Sequence, residues 1–318
     1  MKTKKILLAF DGSTQSMNAA ELCWELAAKH PIRLTAQHVV NTVGLWQLLN
    51  FELPGLTGSG PYIAAHEAMS KELRSIGETL VTIYDTKAKS RGLADQCVLD
   101  EGDAISEVAR RARTHDLVVI GHHPSKRDPL PGSGQDQNGA LPRYLTHFSM
   151  AETLTRVLDK PLLVVQSQTK PWKAINLILH GHNKLEDSFR AGVELAAFFN
   201  LPLEINSYFI GDASEADIPD LKELVDETEK LYPDLVLKTR QARLWPNSDN
   251  AHLAEVACDP DALVVIPTFE CGSERQSAFG TGINLFVRYA EVNSLLFYPV
   301  DVQESHLAST ASSAAAAK

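Results

Sequence analysis

The sequence has few cysteines, few aromatic residues and no long apolar run. Its 318 residues contain four cysteines, none of them in a C-x-x-C pair, which excludes a disulfide scaffold and favours reduced thiols. No stretch approaches the roughly 18 apolar residues of a transmembrane helix. The first apolar run, residues 6–10, ends at Asp11 and is too short for the core of a signal peptide.

Basic residues are outnumbered by acidic ones, 30 against 40, which gives a net charge of −10 and a pI near 5.6. This balance argues against non-specific nucleic-acid binding and against attraction to an anionic membrane. The apolar fraction of 44% and the charged fraction of 22% are typical of a folded globular protein. We therefore expect a cytoplasmic protein without nucleic-acid or membrane partners.

Short apolar runs alternate with amphipathic segments through the first half of the chain, which predicts an α/β fold with a doubly wound parallel sheet. The predicted strands cover 5–11, 33–40, 95–100, 117–121 and 161–165. The predicted helices cover 14–30, 63–90, 103–114 and 148–158. Residues 41–62 are expected to form a long loop, and the Gly- and Pro-rich segment 124–147 an inserted surface loop.

The same alternation returns in the second half, most clearly where Leu-Val-Val-Ile recurs at 117 and 263. Strands are predicted at 174–180, 203–210, 235–243, 262–267 and 294–299, and helices at 184–199, 217–231, 249–258 and 281–291. We predict two tandem doubly wound domains, 1–166 and 173–302, joined by a linker at 167–172. The Ala- and Ser-rich tail 303–318 is expected to be disordered.

Ligands of an open parallel sheet bind beyond the carboxyl ends of its strands, near the switch in strand order. In the first domain this edge is expected to hold Asp11, the segment 38–40 and Gly121, with Ser149 at the start of the last helix. The N–H groups of such a helix start can bind a phosphate. In the second domain the corresponding positions are His180, Pro267 and 280–281.

Three segments together resemble the universal stress proteins in a tandem two-domain form, with an adenine-nucleotide α-hydrolase-like fold. They are the Asp11-Gly12-Ser13 strand exit, the strand 116–121 and the helix–strand unit 148–165. The resemblance implies a non-catalytic stress-response regulator in which the final strands of two domains pair. Here residues 161–165 would pair with 294–298 and form an internal pseudo-dimer, and a homodimer is also compatible.

Nucleotide-binding members of that family carry G-x2-G-x9-G-(S/T) between the fourth strand and the last helix. In the first domain Gly121 matches its first position, Pro124 replaces the second glycine, and a spacer of 23 residues replaces nine. Phe148 replaces the third glycine, and Ser149 keeps the hydroxyl.

The resemblance gives each matching residue of the first domain a role in binding ATP or AMP. Asp11 would contact the nucleoside, the backbone of Val40 the adenine, and Gly121 and Ser149 the phosphates. The alternative readings of Asp11 as a turn residue, of Gly121 as a strand-exit glycine and of Ser149 as a helix cap stay open.

The second domain keeps the other half of the motif. Pro267 and Glu270 replace the first two glycines, the spacer 271–279 has nine residues, and Gly280 and Thr281 complete the pattern. Glu270 would place a negative charge close to phosphates, which weakens the expectation of a second nucleotide site.

Other kinds of site have weaker support. The pairs His122-His123 and His180-x-His182 lie at strand exits, but no cysteine or acid at ligand spacing completes a metal site. No nucleophile with a base and no His-x-x-His motif near the first strand supports an enzyme such as an adenylyl transferase. A binding module for a lipid or small metabolite has no residue evidence. The expectation is therefore a protein without catalytic residues or metal, with ATP or AMP as its candidate ligand.

Overall fold

The structure of the chain, a computed structural model, describes residues 4–49, 60–93, 96–122, 149–166, 172–180, 185–210, 221–244, 259, 261–271, 274–277, 287 and 292–300. The chain divides into two compact units, Met1–His122 and His123–Lys318. The predicted domain boundary at 167–172 stays a prediction. Within the described ranges, no helix combines the length and the hydropathy needed to cross a membrane.

The first unit is built on four parallel strands with helices between them. Its elements are β1 (Lys4–Ala9), α1 (Thr14–Lys29), β2 (Ile32–Asn41), α2 (Thr42–Leu49), α3 (Gly60–Ser90), β3 (Gln96–Gly102), α4 (Ala104–Ala112) and β4 (Leu117–Gly121). The strand order is β3–β2–β1–β4, with β1 parallel to both β2 and β4. The predicted strands and the predicted helices 14–30, 63–90 and 103–114 are confirmed to within a few residues.

Helices cover both faces of this sheet, which explains why β1 and β4 are apolar throughout their centres. Neighbouring residues of a strand point to opposite faces. The imidazole of His38 lies beside Gly77 of α3, whereas the side-chain amide of Gln37 reaches the carbonyl of Glu107 in α4, 3.3 Å away. Helices α3 and α4 therefore pack on opposite faces, as a doubly wound sheet requires.

Residues 42–49 form the helix α2, so the prediction of a loop was wrong for this part of 41–62. The side-chain oxygen of Asn41 accepts the N–H of Gly44 at 2.8 Å and caps the helix. Five of the six glycines and prolines of the predicted loop come after Leu49. Pooling them over the whole segment concealed an apolar helical stretch that precedes them.

The second unit also has a mostly parallel sheet. Its elements are α5 (Met150–Val157), β5 (Leu162–Val165), β6 (Ala174–His180), α6 (Leu185–Phe199), β7 (Leu203–Ile210), α7 (Lys222–Leu231), β8 (Leu237–Leu244), β9 (Ala262–Cys271), β10 (Glu274–Ser277) and β11 (Ser294–Pro299). The strand order is β5–β11–β9–β6–β7–β8, and β10 pairs with β9. The predicted helix 249–258 and nearly all of 281–291 lie outside the described residues.

Strand β5 pairs antiparallel with β11, in the register Val164 to Leu295. Both side chains are fully buried. Just past β5, the backbone N–H of Gln166 donates to the carbonyl of Asn293 at 2.9 Å, and its side chain donates to the carbonyl of Val287 at 3.0 Å. The predicted pairing of 161–165 with 294–298 is confirmed.

Candidate functional site

In the first unit the order of strands switches at β1, because the chain continues from β1 to β2 on one side and returns to β4 on the other. The carboxyl end of β1 pairs with both neighbours, through Ala9 with Gln37 and Ala9 with Ile120. Ligands of open α/β sheets bind at this kind of edge. Of the predicted residues, Asp11, Val40 and Gly121 all lie on the three strand ends that meet here.

Asp11 forms a tight turn between β1 and α1. Its Oδ1 accepts the backbone N–H of Ser13 at 2.9 Å, and Gly12 adopts a positive φ of 80° that glycine tolerates. Burial raises the pKa of the Asp11 carboxyl, but hydrogen bonds from Ser13 and Ser16 more than offset this, so the pKa lies below its ordinary value. Asp11 is thus an exposed, ionised carboxylate held in place by the start of the helix.

Helix α1 begins with a serine cap directly after this turn. The hydroxyl oxygen of Ser13 accepts the N–H of Ser16 at 3.2 Å, and the first turn of the helix contains no acidic residue. The positive end of the helix dipole therefore faces the strand edge next to Asp11.

The end of β2 adds a histidine and two valines. The Nδ1 atom of His38 lies 2.8 Å from the carbonyl oxygen of Phe10, so this nitrogen carries the hydrogen and donates it. Val40 is buried and is paired with Glu101 of β3. Backbone groups alternate sides along a strand, and the carbonyl of Gln37 accepts the N–H of Phe10 on the β1 side. It is therefore Val39, a residue that the sequence did not single out, whose N–H and C=O face this side.

Gly121 has a packing reason that the sequence could not reveal. A Cβ atom at this position would collide with the backbone carbonyl of Gln15 and the backbone nitrogen of Ser16 at the start of α1. The glycine lets the end of β4 pass against the helix backbone. This favours the strand-exit interpretation of Gly121, whereas its predicted phosphate contact stays a prediction.

Ser149 belongs to the second unit and caps α5. Its hydroxyl oxygen accepts the N–H of Glu152 at 3.2 Å, and the Glu152 carboxylate accepts the N–H of Ser149 at 2.6 Å, which completes a capping box. The Glu152 side chain is buried at the helix start. A carboxylate thus occupies the position that an anion would take, and the geometry favours the cap over the predicted phosphate contact.

The motif of the second half falls largely outside the described residues, Gly280 and Thr281 included. The part that is described differs from a phosphate-binding loop. Strand β9 continues past Pro267 to Cys271, and β10 returns antiparallel to it, with Glu270 opposite Arg275. The strand is four residues longer than predicted, and this hairpin takes up part of the predicted spacer 271–279.

A polar cluster behind β2 was missed by the sequence analysis. The Gln37 amide donates to Asp100 Oδ2 at 2.7 Å, and Arg111 of α4 donates to the same oxygen at 2.6 Å. Burial raises the pKa of Asp100, but hydrogen bonds from Arg111 and Gln37 hold it below its ordinary value. Glutamine at an inward position of a buried strand was the available signal. These contacts stabilise α4 against the sheet.

No group of three or more His, Cys, Asp or Glu side chains that could hold a metal ion occurs in the part of the chain that the structure describes. His122 is half-buried just after β4. Its neighbour His123 and also His182 fall outside the described residues, and only the backbone of His180 is described.

A cavity of about 400 Å³ opens in the second unit between the end of α6 and the end of α7. It is lined by residues that precede β7 and β8, among them Pro202 and Val236. The cavity therefore lies at the amino ends of these strands, at the opposite edge from the one where parallel sheets bind ligands.

The family model of the universal stress protein family matches residues 2–166. This covers more than half of the chain, and the doubly wound sheet with its switch at β1 is the α/β fold expected of such a protein. The chain therefore belongs to the universal stress protein family. No curated protein matches it significantly.

Solved structures support the same fold. A universal stress protein from Archaeoglobus fulgidus is 12% identical, with a TM-score of 0.60 over 94% of this chain and 100% of its own. A family member from Burkholderia pseudomallei is 28% identical over 38% of this chain and 82% of its own, with a TM-score of 0.30. A family member from Arabidopsis thaliana, solved with AMP bound, is 15% identical over 37% and 76%, with a TM-score of 0.25.

Proposed function

We propose that the protein is a non-catalytic stress-response regulator of the cytoplasm whose two halves form an internal pseudo-dimer. The observation that supports this best is the antiparallel pairing of β5 with β11. These are the final strands of the two predicted repeats. Each would otherwise present an apolar edge, and their pairing satisfies both.

The polar residues at the strand ends also support a non-catalytic role. Asp11 is engaged in a turn, Ser149 in a helix cap and Asp100 in an ion pair with Arg111. Each of these groups has a structural task, and none of the contacts places a base against a nucleophile.

The pseudo-dimer is tested by splitting the chain in the predicted linker. Fragments 1–166 and 167–318 are produced separately and together. We expect them to co-purify in a 1:1 ratio when co-expressed and to aggregate or to self-associate when expressed alone, because each fragment then has an uncovered final strand. Two fragments that each purify as stable monomers would contradict the proposal.

The alternative function is an ATP- or AMP-binding sensor with the nucleotide in the first domain. The specific observation in its favour is the exposed, ionised Asp11 at the switch of strand order, next to a helix start without an acidic residue. In this proposal Asp11 contacts the ribose, the end of β2 contacts the adenine, and the start of α1 faces the phosphates.

Native mass spectrometry of freshly purified protein tests whether a nucleotide co-purifies, and calorimetry with ATP and Mg²⁺ measures affinity. We expect Asp11→Ala to abolish binding. Asp11→Asn is the matched control, because its amide oxygen can still accept the N–H of Ser13 and keep the turn. Loss of binding in both variants identifies the charge of the carboxylate, and loss in the alanine variant alone identifies the turn. The absence of heat at millimolar ATP would exclude this function.

A further inference from the structure

Helix α3 divides its solvent-facing surface into a charged half and an almost uncharged half. A helix turns about 100° per residue, so residues three and four apart share a face. Charged residues gather on one side: Glu67, Lys71, Arg74, Glu78 and Asp85. Between residues 64 and 86, the opposite side spans about half of the circumference and carries Glu72 as its one charged residue.

The uncharged half exposes a stripe of large apolar side chains. Met69, Leu73, Ile76 and Ile83 are exposed by 42%, 37%, 56% and 42%. Their spacing of three, four and seven residues places them in one row along the helix, with the half-buried Leu80 in the gap. Such a row is the pattern with which a helix packs against another helix.

Three threonines beside this row also favour a protein contact over a hydrated surface. The hydroxyls of Thr79, Thr82 and Thr86 donate to the carbonyls four residues earlier, at 3.0, 2.9 and 2.7 Å. Each hydroxyl donor is therefore satisfied within the helix.

The charged half, in contrast, already serves the fold. Arg74 forms an ion pair with Glu101 of β3, and the Asp85 carboxylate accepts the N–H of Cys97 at 3.0 Å. The uncharged half is the one that is left for a partner.

We propose that this half of α3 binds the same surface of a second copy of the chain, with the two helices antiparallel. The argument for this occupant is charge complementarity. Glu72 and Lys87 are both exposed and lie near the two ends of the row, 15 residues or about 22 Å apart. A two-fold axis midway between Thr79 and Leu80 brings Glu72 of each copy opposite Lys87 of the other. The same axis places Ile76 opposite Ile83 twice.

The contact is one helix pair long, which is smaller than the roughly 800 Å² per partner of a standard interface. We therefore expect a reversible dimer with a dissociation constant on the order of micromolar. This association differs from the β5–β11 pairing, which lies within one chain, and it does not depend on a bound nucleotide.

Sedimentation velocity of the full chain over a concentration series tests the proposal. Ile76→Lys is expected to weaken the dimer about a hundredfold, because it places a charge in the apolar row of both copies. Glu78→Lys is the matched control on the charged half and should leave the dissociation constant unchanged. A wild-type chain that stays monomeric at millimolar concentration would overturn the proposal.

Charge exchange tests the antiparallel register. Glu72→Lys alone and Lys87→Glu alone each place like charges opposite one another at both ends, and each should weaken the dimer about tenfold at low salt. The double variant should recover the wild-type dissociation constant. Because all of these positions are exposed, circular dichroism is expected to show the same fold for every variant. A double variant no tighter than the single ones would overturn this register.

Discussion

The two halves of the chain share their buried strands and differ where those strands end. Strand β1 leads into the Asp11 turn, whereas β6 ends at His180. Strand β4 stops at Gly121 against the backbone of α1, whereas β9 continues beyond Pro267 into a hairpin. Burial on both faces constrains the strands of a parallel sheet, but a strand end has to satisfy only its own turn. The strand ends are therefore the places where the two copies have diverged.

Even a buried polar position is kept with different partners in the two halves. Gln37 and Asn206 occupy equivalent places on the second strand of each copy. Gln37 donates to the ionised Asp100, while Asn206 donates to the side-chain oxygen of Asn176 at 2.6 Å. The first half thus has a titratable cluster where the second half has a neutral amide pair.

The largest expected effect comes from breaking what the two halves share. Val164→Asp places a charge between fully buried strands, and we expect it to lower the free energy of unfolding by at least about 4 kcal/mol. Leu295→Asp, its partner across the β5–β11 pair, should be equally damaging. The control Val236→Asp changes a residue that is 55% exposed and should cost less than about 0.5 kcal/mol. Denaturant unfolding measures all three, and an unchanged melting temperature of Val164→Asp would contradict the interpretation of β5.

The next effect tests a difference between the halves. Gly121→Ala forces a Cβ atom into the backbone of Gln15 and Ser16, and we expect a loss of roughly 2–3 kcal/mol. Gly60→Ala is the matched control, since a Cβ atom there has nothing within 4 Å. The second half already carries a side chain at the equivalent Pro267. A Gly121→Ala protein as stable as the Gly60→Ala protein would show that the close approach has no energetic weight.

A smaller loss is expected from a helix cap. Ser149→Ala removes the acceptor of the Glu152 N–H and should destabilise the protein by about 1 kcal/mol. If Ser149 acts as a cap and not as a phosphate ligand, this loss is the same with and without ATP. Thermal unfolding in both conditions measures it. A nucleotide-dependent shift in the wild type that is missing from Ser149→Ala would instead restore its predicted phosphate contact.

The smallest effect concerns pH. The folded pKa of Asp100 is depressed, so its contribution to stability is present above the ordinary carboxyl pKa of about 4 and is lost as pH falls through the folded value. Between pH 4 and pH 2 the wild type should therefore lose more stability than Asp100→Asn. Asn206→Ala removes an amide of the neutral pair and should keep the wild-type dependence on pH. Equal slopes for wild type and Asp100→Asn would refute the role of the cluster.

The sequence predicted the strands well because each is a short apolar run bounded by polar or turn residues, as in 117–121. The pairing of β5 with β11 followed from the family resemblance and not from the residues alone. Helix α2 and the hairpin of β9 and β10 were missed because Gly and Pro counts over a long segment hide short elements. The site was less predictable. No pattern in the sequence reports the clearance at Gly121, the buried carboxylate of Glu152, or the side of β2 to which the backbone of Val39 points.

The β5–β11 pair also sets a timing problem for the chain during its synthesis. The partner strand begins 129 residues after β5 ends. At roughly 5–20 residues per second, the ribosome needs about 6–26 seconds to deliver it. During that interval β5 has left the ribosome without its native neighbour, and in a polysome the adjacent nascent chain exposes the same strand. Successful folding therefore depends on β5 avoiding its own copies until residue 294 arrives.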